Sequence, residues 1–379
     1  MHTRKSRRPN LFHRFWVRWL LTVILGGGVI GAGLWRGMEG VAPQAEIVLH
    51  GETMGTTFTV RVRRDEMDPT SIPSVSSNPS GDALKTSIQQ SITKRLGELN
   101  GVFSTWDSQS ELSQINQTST LGPVILSNEL AYVLSKALFW GEHTGGALDV
   151  TVGPLVKLWG FGPQSQGEKL SDMEFEAALA EARERVGIKY LLLKGNVLVR
   201  ARPGMEIDLS AIAKGYGVDQ LGILVHQWGG RNFLVEIGGE VVTRGVSPDG
   251  TPWLVGVDLP QAESLPGSQV AEVIALREGA LATSGSYRRF RKTPQQNTHH
   301  LLDPRTGRST ASNLVSVTVF AKDCMTADAL ATALMVMGVD AGLPWVAQLS
   351  GFEALFLVAQ PDGSFQRHLT EGFKTLLVQ

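Results

Sequence analysis

Cysteine is almost missing from this sequence: Cys324 is the sole thiol in 379 residues. No disulfide can form within the chain, and no cysteine cluster can hold zinc. A single thiol is compatible with export without establishing it. A basic body is also missing. Residues 1–40 hold seven basic side chains (Arg4, Lys5, Arg7, Arg8, Arg14, Arg18 and Arg36) against Glu39, which leaves 28 basic and 35 acidic residues in the remainder. That mild acidity argues against nucleic acid as a partner. It also means that nucleotide phosphates would need a metal or backbone N–H groups to meet them. Short-period repeats are absent, and so is a regular βαβ alternation, so the mixture of helices and strands reads as α+β with mixed sheets and packed helices. Apolar residues make up 42% and charged residues 19%, which excludes a disordered or fibrous chain, and the length suffices for one or two domains.

Charge is absent from Trp19 to Trp35, seventeen residues that follow the basic run. This is the charge order of a signal sequence or signal anchor, with the positive flank retained in the cytoplasm and the body on the other side. The segment is short for a span of about 20 residues, and its Gly26–Gly28 run weakens it. No cysteine is present for lipid attachment, and no clean small-x-small cleavage site follows. The reading is an N-terminal hydrophobic anchor helix that stays uncleaved. Cleaved export and a buried core helix are the alternatives.

The body begins near Glu46. Residues 47–64 read as strand, Gly-containing turn and strand. Asp65–Asp82, rich in Ser, Pro and Asp, reads as an exposed insertion. Apolar spacing predicts helices over Ala83–Leu99, Ser127–Thr144, Ser171–Val186 and Thr326–Met337. Strands are expected near 190–199, 233–241, 254–259, 273–276, 314–320 and 353–359.

Four stretches are denser in Gly, Asp, Thr and Ser than packing requires: 147–162, 207–219, 282–287 with 298–307, and 326–334. In the last, Asp328 and Thr332 are four apart on a predicted helix and share a face. Their oxygens suit a hard cation such as magnesium, while the bland reading is a core helix with an acid near its positive end. Asp208 and Ser210 read as helix caps. Lys214, about one turn in, is placed to meet an anion or else to sit in solvent. His299 and His300 precede an Asp-Pro turn, where a histidine can take a proton from a hydroxyl or simply lie at the surface. Asp303 either orients a neighbour or stabilises its own turn.

Eight segments, ETMGTTFTV, FSTWDSQSELSQIN, ALDVTVGPLVKLWGFGP, IDLSAIAKGYGVD, FLVEIGGEV, ATSGSY, HLLDPRTG and TADALATAL, occur in an order that resembles the FAD:protein FMN transferase family, also called ApbE. Each alone is weak; the ordered set is specific. The resemblance implies one transferase domain over 46–379, with FAD as substrate and Mg2+ as cofactor. By resemblance Met54, Trp106, Ala147, Leu148, Asp149, Asp208, Lys214 and Leu302 contact FAD. Asp328 and Thr332 hold the metal with their side chains and Ala211 through its carbonyl. His300 is the family histidine; His299 is unmatched.

The implied reaction cleaves FAD and joins FMN through a phosphoester to a threonine of an acceptor protein, releasing AMP (EC 2.7.1.180). Acceptors in the family are subunits of exported or membrane redox complexes, which suits a bacterial inner-membrane protein whose catalytic domain faces the periplasm. A magnesium-dependent FAD pyrophosphatase and a flavin-binding protein without turnover are the competing functions. Two departures stand out: the lipid-anchoring cysteine of many relatives is missing, and Asp65–Asp82 is longer than the family needs.

Overall fold

Alternation of apolar residues folds 46–63 into a hairpin, with Ile47, Leu49, Phe58, Val60 and Val62 turned into the core. Its strands are β1 (Glu46–Thr53) and β2 (Thr56–Arg63), and Met54 and Gly55 close it at φ 49° and 71°. The hairpin begins an eight-stranded sheet that continues through β3 (Phe233–Ile237), β4 (Glu240–Arg244), β5 (Glu278–Gly285), β6 (Leu314–Ala321), β7 (Glu353–Ala359) and β8 (Phe365–Leu369). Every neighbouring pair in it is antiparallel. The mixed sheets expected from sequence are therefore not seen among the described residues. A helical excursion leaves between β2 and β3, yet the chain returns to pair antiparallel with β2.

The computed structural model describes residues 46–73, 81–118, 121–163, 170–260, 267–286, 290–292, 297–310 and 312–378, which lie in one compact unit. The expected anchor at Trp19–Trp35 falls outside them, as do residues 74–80 of the expected insertion. The described part of that insertion is not wholly exposed. Met67 and Ile72 are buried, and Glu66 accepts backbone N–H bonds from Arg231 and Asn232 at 2.9 Å.

Five longer helices complete the frame: α1 (Gly81–Phe103), α2 (Asn128–His143), α3 (Asp172–Glu184), α4 (Ala213–Gln227) and α5 (Cys324–Val346). In α1 the residues Leu84, Ile88, Ile92, Leu96 and Leu99 repeat at helical spacing and are buried. Ser127 caps α2 by accepting the Leu130 N–H at 3.2 Å, and Ser171 and Glu174 form a reciprocal capping box on α3. Arg95 of α1 pairs with Glu129 of α2, which accepts the Tyr216 hydroxyl of α4 at 2.8 Å, so one polar network fixes three helices together.

The sheet is covered on both faces. Ala282, Val317, Val319, Ala354 and Phe356 pack with α5, whereas Leu281, Leu355 and Leu357 pack with Val257, Ile274 and Phe373 on the other side. Two-sided burial explains why β6 and β7 read as nearly continuous apolar runs. The apolar helix α5 is long enough by length and composition to cross a membrane. Its residues from Cys324 to Ala331 are all buried, and it is the core helix of this body. The predicted end at Met337 meets a break at Gly338, φ 76°, after which a second helical stretch follows. Two predicted strands are hairpins instead: Leu191–Lys194 with Val197–Arg200, and β3 with β4.

Candidate active site

The N-terminal ends of α4 and α5 meet at backbone distance. A Cβ on Gly215 would stand 2.3 Å from the Cys324 carbonyl oxygen, so only glycine permits this approach. The contact sets the Gly215 N–H to donate to Asp328 Oδ2 at 3.0 Å. One turn further along α5, the Thr332 hydroxyl bonds the Ser284 hydroxyl of β5 at 3.0 Å. Lys214 donates to Glu240, the first residue of β4, which the Gly238-Gly239 turn delivers at φ 63° and 103°. From the second turn of α4, Asp219 accepts the Cys324 and Met325 N–H groups at 2.8 and 2.9 Å, capping α5 from a neighbouring helix.

Acid outnumbers base in this centre. Burial pushes the Glu240 carboxyl up to about 7 against the pull of Lys214, with Asp328 adding to the rise. Burial pushes Asp219 up to about 7 as well, opposed by its two backbone donors. Asp328 is raised by burial, with Lys214 and the Gly215 N–H opposing. Burial alone would lower Lys214, but Glu240 and Asp328 outweigh it and hold the ammonium above its ordinary value. Lys214 is therefore charged, and a further cation beside these acids would favour their ionised forms.

A second cluster gathers around residues 147–152. Asp149 accepts the Thr151 N–H at 2.8 Å and the Ile188 N–H at 3.0 Å, and burial raises its carboxyl. The Asp208 N–H donates to the Val150 carbonyl at 2.7 Å, and Asn116 exchanges two bonds of 2.8 Å with Ile207. The segment leading to Ala211 and Lys214 is thereby tied to the 147–152 stretch. The short helix Gly153–Leu158 continues that stretch, and Leu155 and Trp159 pack against Leu302. Trp159 donates to the Gly307 carbonyl at 2.7 Å, and the Phe161 and His300 rings lie 6.4 Å apart edge to face.

The ApbE family model matches residues 54–356, spanning both clusters. A curated relative from Vibrio cholerae, named FAD:protein FMN transferase, is 38% identical over 88% of this chain and 94% of its own. One of the same name from Escherichia coli is 32% identical over 87% and 89%. The chain belongs to the ApbE family. Its fold is similar to the solved flavin transferase ApbE of Vibrio cholerae, with a TM-score of 0.75 at 36% identity, covering 88% of this chain and all of that one.

With ApbE membership established, the expected residues can be located. Lys214, Asp328 and Thr332 come together, and Ala211 lies on the turn entering α4, half-buried. Met54 packs beside α4, since a Cβ on Gly217 would lie 3.3 Å from its Cε. Ala147, Leu148 and Asp149 are buried together, and Leu302 is buried beside Leu155. Trp106 stands 70% exposed after α1. Asp208 and Ser210 do not cap α4, whose N-cap Ile212 makes no side-chain bond. Asp208 instead closes a local turn by accepting the Ser210 N–H at 2.9 Å. Lys214 is the second residue of α4 rather than a turn in.

Asp303 stabilises its own turn, accepting the Arg305 N–H and Nε at 2.9 Å. His299 bonds the Thr310 carbonyl through Nε2 at 2.9 Å, and burial lowers its imidazole. Sequence reading passed over Glu240, Asp219 and Ser284, although all three sit inside the ApbE segments quoted above. A glutamate directly after Gly-Gly on a buried strand is the one signal that could have singled out Glu240.

Proposed function

We propose that the chain cleaves FAD and transfers FMN to a threonine hydroxyl of an acceptor protein, with AMP leaving. The observation that carries the reading is the α4–α5 contact. There Lys214, Asp328 and Thr332 converge, in a chain 38% identical to a curated FAD:protein FMN transferase. The donor set fits magnesium: a carboxylate, a hydroxyl and a backbone carbonyl are hard oxygen ligands, and Asp328 is buried amid the small residues Ala327, Ala329 and Ala331. Asp328, Thr332 and the Ala211 carbonyl are the groups that would hold it. Magnesium, when bound, supplies neutralisation of the pyrophosphate charge.

The chain's own residues do the rest. The charged Lys214 offers N–H donors to phosphate oxygens. Met54, Trp106, Ala147, Leu148, Asp149, Asp208 and Leu302 line and orient the dinucleotide. His300 accepts the proton of the attacking hydroxyl. The threonine oxygen forms a bond to the FMN phosphorus, and the bond between that phosphorus and the bridging oxygen breaks, so the bridging oxygen departs with AMP.

The same reading extends to the setting. Residues 1–40 anchor the chain in the bacterial inner membrane with the body in the periplasm, where exported redox subunits carry acceptor threonines. Its support is the charge order around Trp19–Trp35.

The test is incubation with FAD, Mg2+ and a threonine-bearing acceptor, read by intact mass. An acceptor heavier by FMN, with AMP released in equal amount, is the expected result. Free FMN with unlabelled acceptor would make the protein a pyrophosphatase, and FAD left intact would make it a flavin-binding protein.

A further inference from the structure

We infer that Glu240 is a positioning residue that holds the Lys214 ammonium toward the phosphates of the bound dinucleotide. The inference rests on the reading that FAD binds beside Lys214. Glu240 is a deeply buried acid, with its side chain 2% exposed, whereas the Lys214 side chain that it contacts is 30% exposed. The pair therefore has a closed end and an open end. Glu240 lies at the enclosed end, and the lysine side chain is part-exposed with ammonium donors to spare, because a lysine carries three and Glu240 takes one.

The fold goes to some length to place this acid. Gly238 and Gly239 adopt left-handed conformations just before it, and a Cβ on Gly238 would lie 2.8 Å from Thr56 Cγ2. Glu240 Oε2 is buried and has no hydrogen-bond partner among the described residues. A buried carboxylate with a spare oxygen is unfavourable as a packing element. It is accounted for if its charge is the useful property: it keeps a lysine ionised and directed in a place that burial would otherwise make neutral. Asp328 adds to the charge that keeps the lysine ionised, but Glu240 is the acid that accepts the ammonium's hydrogen bond, whereas Asp328 Oδ2 accepts the Gly215 N–H.

A thermodynamic cycle on FAD binding tests the role without turnover, using the full-length protein, Mg2+ and flavin fluorescence. Lys214→Met and Glu240→Gln should each weaken FAD binding by about tenfold. The double variant should bind no more weakly than Lys214→Met alone, since Glu240 acts only through the lysine. In turnover Glu240→Gln should raise the KM for FAD by a similar factor with a much smaller change in kcat, and Glu240→Asp should recover part of the loss. Additive losses in the double variant, or unchanged binding in Glu240→Gln, would overturn the positioning role. Unchanged binding in Lys214→Met would instead overturn the placement of FAD on which the inference rests. Should Glu240→Gln fold poorly, the double variant, which removes both charges, still yields the comparison with Lys214→Met.

Discussion

Replacing Lys214 with Met would leave the Glu240 carboxyl buried without its countercharge. Breaking one side of a buried pair costs about 3–5 kcal/mol, so Lys214→Met should show that loss in urea unfolding, and adding Glu240→Gln should return much of it. Asp328→Ala should lower acceptor labelling by at least about 100-fold. It should also abolish any rise in unfolding midpoint that Mg2+ gives the parent protein, because a ligand stabilises only the state that binds it. Asp219 carries a pH signature. Its folded value of about 7 lies above the ordinary 3.8, so the folded state holds this proton where the unfolded chain has released it. The corresponding stability is complete below about pH 4 and is lost as pH rises through about 7. Denaturant midpoints across that window should fall less steeply in Asp219→Asn; an unchanged slope would mean that another group governs it.

The contact between α4 and α5 can be tested at the scale of whole elements. Gly215→Ala must move the helices apart, because its methyl would meet the Cys324 carbonyl. A cost of about 1–3 kcal/mol is expected, together with weaker Mg2+ binding as Asp328 loses its donor. Gly97 of α1 is the control: it is exposed with open space around it, so Gly97→Ala should stabilise by about 0.5–1 kcal/mol. These elements also mark what was legible in sequence. Asp328 and Thr332 were readable because helical spacing is local, and the structure keeps both on α5 with partners from α4 and β5. Glu240 was not, since its bond to Lys214 spans 26 residues and depends on sheet register. The cap of α5 by Asp219 spans 105 residues and leaves no local pattern. The assignment of Asp208 as a cap failed for a local reason: an Asp two residues before a Ser closes an Asx turn as readily as it starts a helix. The Gly238-Gly239 and Lys194-Gly195-Asn196 turns are short breaks inside runs that are otherwise mostly apolar, so each hairpin reads as one strand.

Taken whole, the described body lies within 44–379, and the family match within 54–356. A chain lacking residues 1–40 should therefore fold and label a soluble acceptor at near the parent rate, while moving from the membrane fraction to the soluble one. Retention in the membrane would remove the anchor from the proposal. The lone thiol gives the same body a built-in reporter. Cys324 is fully buried at the start of α5, its carbonyl lies against Gly215, and burial pushes its thiol well above the usual range. Thiolate is the reactive form, so in the closed molecule this sulfur is inert to oxidants and to thiol exchange. Alkylation must wait until the helices part. The labelling rate of a single atom would then report how often the candidate site comes open, and ligands that fasten α4 to α5 would slow it in proportion to their occupancy.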